Sequence, residues 1–333
     1  MKVLLVGVGR WGAQHLRVLR ALGADVWVAD ASGERRRWAV GQGVARARVV
    51  DDYRAALEAV DAVDVVTPAD SHLEIATTAL AAGRHCFVEK PLATTVAQGR
   101  AIAAAAATAG RLVQVGHVFR FHPVSAAVRE ALRRAGRLRY ATGRFAGFKR
   151  PRLDVGVTHT DALHYFDLFA YLLQRPASRV RGLQRDFLGR GLDDMSVTIV
   201  EYGDVPAIVE ANYFLPGTYR ECVLVGEQGV VVADYASGTA SIHLGLHRRR
   251  GEAWEAVDTG KEELRVAGEE PLRLELQAFL DACAGRRPNP VPPEAGVQAL
   301  RVVEAAAAAA RDGTAVVLDE VETAISAGSG SRP

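Results

Sequence analysis

Two ionisable side chains and a proline, Glu89-Lys90-Pro91, close an otherwise apolar run. A lysine there can donate a hydrogen bond to a substrate hydroxyl or carbonyl. Burial near other positive charge lowers its pKa toward a useful range. A surface ion pair would account for the same two residues. His164 is the second candidate: it falls in the first turn of a helix expected over 161–173, with Thr158 or Thr160 as the cap. The positive end of a helix disfavours imidazolium, so the ring stays neutral and can accept a proton near pH 7. Asp161 and Asp167 stand three residues before and after it, and either can orient the imidazole. His159 competes for the role.

Gly7-Val8-Gly9-Arg10-Trp11-Gly12 offers a different chemistry. It lies between a strand and a helix, the setting in which such a loop binds a dinucleotide pyrophosphate. Gly7 permits the tight turn, Gly9 lets phosphate approach the backbone, and Gly12 lets the helix pack on the strand. The helix N-terminus, with Arg10 and Trp11 in its first turn, presents free N–H groups to the anion. Asp30 ends the second strand, where an acid accepts hydrogen bonds from the adenosine ribose and repels a 2′-phosphate. That favours NAD. NADP stays open, because Arg35, Arg36 and Arg37 follow and one of them can clamp a 2′-phosphate. Thr67-Pro68 ends another strand at the same ligand-binding edge.

These residues need a scaffold that gathers strand ends. Short β-branched runs at 3–6, 25–29, 48–50, 63–66, 85–88 and 112–115 alternate with helical stretches at 11–22, 52–60, 71–82 and 94–109. Such alternation predicts a parallel sheet covered on both faces, here a Rossmann domain over residues 1–120. After Gly116 the texture changes. A helix near 123–135, a strand near 138–148 and the helix over 161–173 lead into a β-rich stretch from 178 to 246, with turn signals between runs. The charged segment 251–270 reads as an exposed excursion, and helices near 271–284 and 294–311 close this part. The expected fold class is α/β: an N-terminal Rossmann domain plus a C-terminal α+β domain (121–318) with a large open, mostly antiparallel sheet. Residues 319–333 read as a C-terminal tail, flexible in its last part.

A chain of 333 residues, 49% hydrophobic and 24% charged, has the balance of a soluble globular protein of two domains. Its formal net charge of +2 provides no global field for nucleic acid or an anionic membrane. The arginine triplets at 35–37 and 248–250 read as solvated faces. Cys86, Cys222 and Cys283 have no ligand spacing, so reduced thiols and no metal are expected. The apolar run after Met1-Lys2 is too short for a signal peptide and no stretch is long enough to span a bilayer, so a cytoplasmic location is expected.

Taken together, these motifs resemble the Gfo/Idh/MocA family of oxidoreductases nearly end to end. The resemblance rests on the glycine loop, on Thr67-Pro68 with His72, and on Ala82-Gly83-Arg84-His85 leading to Glu89-Lys90-Pro91. It continues in the linker-like Gly116-His117-Val118-Phe119-Arg120-Phe121-His122-Pro123 and in His164-Tyr165-Phe166-Asp167 with Tyr171-Leu172-Leu173. It implies an enzyme transferring a hydride between a secondary alcohol of a sugar, cyclitol or nucleotide-linked sugar and NAD or NADP. Within that pattern Lys90 is catalytic, often before a cis proline, and His164 is the proton-transfer histidine. The implied cofactor residues are Gly7, Gly9, Arg10, Trp11, Gly12, Asp30, Thr67, Pro68, His72, Glu89 and Lys90. His117 and Arg120 border the site in the family linker, and with Lys90, Thr160, Asp161 and His164 they are candidate substrate contacts. For Arg120 a structural salt bridge is equally open.

One position departs from the pattern. Many relatives carry an aspartate four residues before the histidine; here that position is Thr160, and the acid is Asp161. One residue is about a hundred degrees around a helix, so Asp161 serves only if the helix N-terminus is irregular. Two other readings stay open: an NAD-dependent glycosidase that keeps its cofactor, and a non-catalytic dinucleotide-binding regulator. The expected partners are a small sugar-like molecule and further copies of the chain, as a homodimer or homotetramer through the C-terminal sheet. Nucleic acid and membrane are not expected.

Overall fold

The protein is described by a computed structural model over residues 1–318; the tail expected at 319–333 lies outside the described residues. In the first part, β1 (Lys2–Val6) leads through α1 (Arg10–Ala21), β2 (Asp25–Ala29) and α2 (Gly33–Gly41) to the short β3 (Val49–Val50). The chain continues through β4 (Ala62–Val65), α3 (His72–Ala81), β5 (His85–Glu89), α4 (Val96–Ala109) and β6 (Val113–Gly116). These six strands are parallel, in the order β3-β2-β1-β4-β5-β6. The alternation along β1 shows why both faces are covered. Leu4 and Val6 enter one core, Val3 and Leu5 another. The strand order reverses beside β1, and a reversal of that kind opens a ligand crevice at the carboxyl ends of the strands.

All six expected strands are present, but one helical expectation needs correction and one helix was not expected. The stretch at 52–60 is a 3₁₀ segment, Tyr53–Ala59, held at its start by the Asp52 carboxylate. The helix α2 was not foreseen: it buries only Ala39 and so has no apolar stripe to read.

Beyond β6, α5 (Pro123–Ala135) and β7 (Leu138–Gly147) precede α6 (Leu163–Leu173). Then come β8 (Arg179–Arg185), β9 (Met195–Tyr202), β10 (Val205–Asn212), β11 (Thr218–Gly226) and β12 (Gly229–Asp234). The strands β13 (Thr239–Arg250) and β14 (Ala253–Glu263), the helices α7 (Pro271–Cys283) and α8 (Pro293–Asp312), and β15 (Val316–Val317) complete the described chain. Nine strands form the second sheet, β14-β13-β12-β11-β7-β10-β9-β8-β15. Among the described residues only its β7–β10 pair is parallel. In β9 the buried positions Ser196, Thr198, Val200 and Tyr202 alternate with partly exposed ones, as a sheet with one covered face requires. The excursion expected at 251–270 is instead largely β14, an edge strand whose acidic and basic side chains discourage further pairing.

The helix α7 was expected to close the second part, but it returns to the first. Leu272, Leu276, Phe279 and Leu280 pack with Val3, Leu5 and Phe87 beside α1, and the Phe87 and Phe279 rings meet edge-on at 5.6 Å.

Candidate active site

The glycine loop turns as its composition dictates. Gly7 has φ +90°, and a Cβ there would lie 2.7 Å from the Val66 carbonyl oxygen. At Gly12 a Cβ would come within 2.0 Å of the Gly7 oxygen, so α1 can approach β1 only without one. Around Gly9 nothing lies within 4 Å of a Cβ position; this is open room next to a helix N-terminus that has no side-chain cap. A pyrophosphate fits that combination of space and free donors. Asp30 is within hydrogen-bonding distance of the loop itself: one carboxylate oxygen accepts the Val8 N–H at 2.8 Å and the other the Ser32 N–H at 2.8 Å. Of the three following arginines, Arg36 is committed to the Asp30 and Ala31 carbonyl oxygens.

A cavity of about 600 Å³ opens from this loop toward the second sheet. Gly9, Arg10, Trp11, Thr67, Pro68, Glu89, Lys90 and His164 all reach it. Thus the cofactor loop, the strand-end lysine and the helix histidine share one chamber. The Lys90–Pro91 bond is cis. Lys90 Nζ donates to the Thr160 carbonyl oxygen at 2.7 Å. Burial, with Arg152 and Lys149 nearby, outweighs the pull of Asp161 and Glu89 and lowers Lys90 to about 8. His164 stacks against Phe145 at 5.1 Å and Phe119 at 4.7 Å. Burial first, then the positive charge of Lys90, holds its pKa well below the usual histidine range, so the ring is neutral near pH 7.

The N-terminus of α6 is irregular, and this bears on the displaced acid. Residues Thr158–Ala162 form a π turn ahead of the α-helix. No threonine caps it, against expectation: Thr158 donates its N–H and its hydroxyl to Asp193, at 2.8 and 2.6 Å. The Thr160 hydroxyl lies 3.0 Å from that of Tyr213, so Thr160 offers the lysine its backbone oxygen and keeps its side chain out of the chamber. Asp161 pairs with Lys149 at 2.7 Å. It acts on Lys90 through its charge and makes no bond to His164.

Asp167 does not orient His164 either. It takes a two-pronged bond from Arg120, at 2.8 and 2.6 Å, so the guanidinium stands in an ion pair. His117 stands 3.6 Å from the same carboxylate, too far for a hydrogen bond, and burial lowers it to about 4. His72 faces the interior, with its ring nitrogens 3.0 Å from the carbonyl oxygens of Pro91 and Thr67; it braces the two loops from behind. His159 neighbours Thr94, Asp193 and Glu304, away from the cavity. Phe145, Arg152, Arg220 and Tyr235, which also line the chamber, and Lys149, which pairs with Asp161, were not foreseen. They come from the second part of the chain, where nothing local separates a site residue from a sheet residue.

Behind Lys90 lies a polar layer that was also not foreseen. His15 bonds Asp64 at 2.8 Å and Glu89 at 3.2 Å, and Trp11 donates to Glu89 at 2.8 Å. Burial opposes a charged His15, but the two carboxylates win and raise it to about 10. The layer anchors α1 to β4 and β5, and so fixes the glycine loop relative to Lys90. Glu275 on α7 joins it, fully buried and with neither carboxyl oxygen hydrogen-bonded among the described residues. Burial, then the Glu89 charge, raises its pKa well above the usual value, so it is protonated. Its unfolded counterpart ionises above about pH 4.5, so this residue costs increasing stability as pH rises past that value. Glu275→Gln is therefore expected to raise stability at pH 8 by about 1–3 kcal/mol, with little change at pH 4. Thermal melts at both pH values would show it; equal shifts at the two would refute it.

Comparison with known proteins identifies the family. Residues 1–117 match the family model described as an oxidoreductase family with an NAD-binding Rossmann fold, and residues 138–318 match its C-terminal alpha/beta domain. The inositol 2-dehydrogenase 1 of Saccharopolyspora erythraea is 33% identical, covering 97% of each chain. The UDP-N-acetylglucosamine 3-dehydrogenase of Acidithiobacillus ferrooxidans is 27% identical over 86% of this chain and 90% of its own. A crystal form of that enzyme superposes with a TM-score of 0.80 at 25% identity, covering 94% of this chain and 98% of the other.

Proposed function

Because the chain belongs to the Gfo/Idh/MocA family of NAD-dependent oxidoreductases, we propose that it oxidises a secondary alcohol of a sugar, cyclitol or nucleotide-linked sugar, and reduces the matching ketone in reverse. The substrate class is that of its relatives, an inositol dehydrogenase and a nucleotide-sugar dehydrogenase. The observation that carries the reading is the shared chamber: Lys90 and His164 face the space into which the glycine loop opens. The nicotinamide, when bound, supplies the hydride acceptor. Gly7, Gly9 and Gly12 with the start of α1 would hold the pyrophosphate, and Asp30 would meet the ribose.

The neutral His164 accepts the hydroxyl proton, directly or through Lys90. The Lys90 ammonium carries three donors, of which Thr160 takes one, and those left can hold the developing alkoxide. Asp161, tied to Lys149, keeps a negative charge near that ammonium and so favours its protonated form. The division falls at about residue 120, with dinucleotide binding in 1–120 and substrate binding in 121–318, α7 excepted. The open face of the nine-stranded sheet, where Ile208 and Leu183 are exposed, suits a homodimer or homotetramer. A cytoplasmic setting suits the free Cys86, Cys222 and Cys283; no helix among the described residues is long and apolar enough to cross a membrane.

The test is a spectrophotometric screen of NAD and NADP against free sugars, inositols, sugar acids and nucleotide sugars. Net reduction of NAD, preferred over NADP, is expected with at least one class. Asp30→Asn, which removes the charge that repels a 2′-phosphate, should shift the NADP-to-NAD ratio upward by about tenfold or more. Tight cofactor binding with no net reduction across the panel would sink the dehydrogenase reading.

A further inference from the structure

Most cations around the chamber are already matched. Lys149 pairs with Asp161, Arg152 grips Asp154 through bonds of 2.8 and 2.5 Å, and Arg120 grips Asp167. Arg10 has no ion pair among the described residues, but it opens α1 at the phosphate loop, where the pyrophosphate charge meets it. Arg220 on β11 is left. Its guanidinium carbon is 3.4 Å from the centre of the Phe145 ring. Its Nη1 donates to the carbonyl oxygens of Ala146 and Tyr219, at 2.9 and 2.5 Å. Nε and Nη2 have no acceptor, and no carboxylate stands at ion-pair distance, among the described residues.

A guanidinium in that state is unusual. Taking the charge out of water is costly unless an acid answers it, and here burial lowers the pKa of Arg220, which Asp161, and after it Tyr165 and Asp234, offset only in part and from beyond ion-pair distance. Two backbone oxygens and a ring fix its orientation, so little freedom is lost when a ligand binds. Arg220 also lines the same cavity as Lys90 and His164. The Phe145 ring that carries it lies parallel to the His164 imidazole, at 5.1 Å and 3°. Arg220 is therefore no farther from the histidine than those two steps, 3.4 and 5.1 Å, laid end to end. That is a reach a single sugar unit can bridge. A sugar whose reacting carbon faces His164 would carry an acidic substituent to the free edge of the guanidinium.

We infer that Arg220 is a specificity residue that grips an anionic oxygen group, a carboxylate or a phosphate, on the substrate, so that the enzyme acts on acidic sugars in preference to neutral ones. This rests on the sugar dehydrogenase reading above and narrows it. A planar fork of two remaining donors matches a carboxylate or phosphate edge and has no counterpart on a neutral polyol.

The test is calorimetric titration of the NADH-loaded protein with glucose, galactose and mannose, each as the neutral sugar, the uronate and the terminal phosphate ester. In at least one configuration an acidic form should bind about 10–100-fold more tightly than its neutral parent. A preference for the uronate identifies a carboxylate, and a preference for the ester a phosphate. Arg220→Met should collapse the ratio, while Arg220→Lys, which keeps the charge without the fork, should retain part of it. A purely structural arginine would weaken acidic and neutral forms alike. Acidic forms that bind no better than neutral ones in the unmodified protein overturn the inference, whether or not the variants fold. NAD reduction measured in parallel separates the two ideas. Tight acid binding without turnover counts against the dehydrogenase reading, and turnover of neutral sugars with no acid preference counts against Arg220.

Discussion

Lys90→Met is expected to lower the rate of NAD reduction by about 10²–10⁴-fold, while NADH still binds. Methionine keeps the length of the side chain but removes the charge and the hydrogen bond to the Thr160 carbonyl. The pH profile carries a sharper form of the same expectation. Burial lowers Lys90 to about 8, so the ammonium that holds the alkoxide is present below that value and lost as pH rises through it. The value of kcat/KM for sugar oxidation should therefore be level near neutrality and fall above about pH 8. No limb is expected near 6.5, because His164 stays neutral well below the usual range. Arginine does not titrate in this window, so Lys90→Arg, whatever its residual rate, should lack the alkaline limb. An unchanged limb in that variant would show that another group titrates there.

The second large effect belongs to the glycine loop, where two similar substitutions should fail in different ways. Gly12→Ala would place a methyl 2.0 Å from the Gly7 oxygen, a clash between backbone segments that no rotamer can relieve. A destabilisation of about 1–3 kcal/mol or more is expected, together with loss of NADH binding as α1 is pushed off β1. At Gly9 a Cβ meets nothing within 4 Å, so Gly9→Ala should fold with a near-normal melting temperature. Its methyl instead occupies the room for the pyrophosphate, and NADH affinity should fall. Thermal melts paired with NADH fluorescence titrations separate the two cases. A Gly9→Ala protein that binds NADH normally would show that the phosphates lie elsewhere.

What could be read ahead of the structure was what local pattern dictates. The six strands of the first sheet announce themselves by β-branched runs, and the glycines by a turn that admits no side chain. Glu89-Lys90-Pro91 stood out because charge is rare at the end of a buried strand. The failures have a common physical origin. Asp64 lies inside a strand read only as apolar, and its meaning depends on His15, far off in sequence but bonded to it in the fold. The roles of Asp161 and Asp167 were assigned by helical spacing. The π turn and the partners Lys149 and Arg120 redirected both. Arg220 is a basic residue in a half-exposed strand, ordinary until Phe145 and His164 are seen beside it. The charged segment 251–270 reads as an exposed excursion because an edge strand with both faces wet, here Ala253–Glu263, shows no apolar alternation.

The return of α7 to the first sheet has a consequence for how the molecule comes into being. A ribosome delivers Val3, Leu5 and Phe87 early, yet Leu276 and Phe279, which cover them, emerge only well after, close to the end of the described chain. Until then the nascent dinucleotide domain carries an uncovered apolar flank, the kind of surface that invites chaperones or aggregation. A fragment cut at residue 120 would retain that flank permanently. The two halves are therefore not independent modules joined end to end: a helix of the later half completes the core of the earlier one.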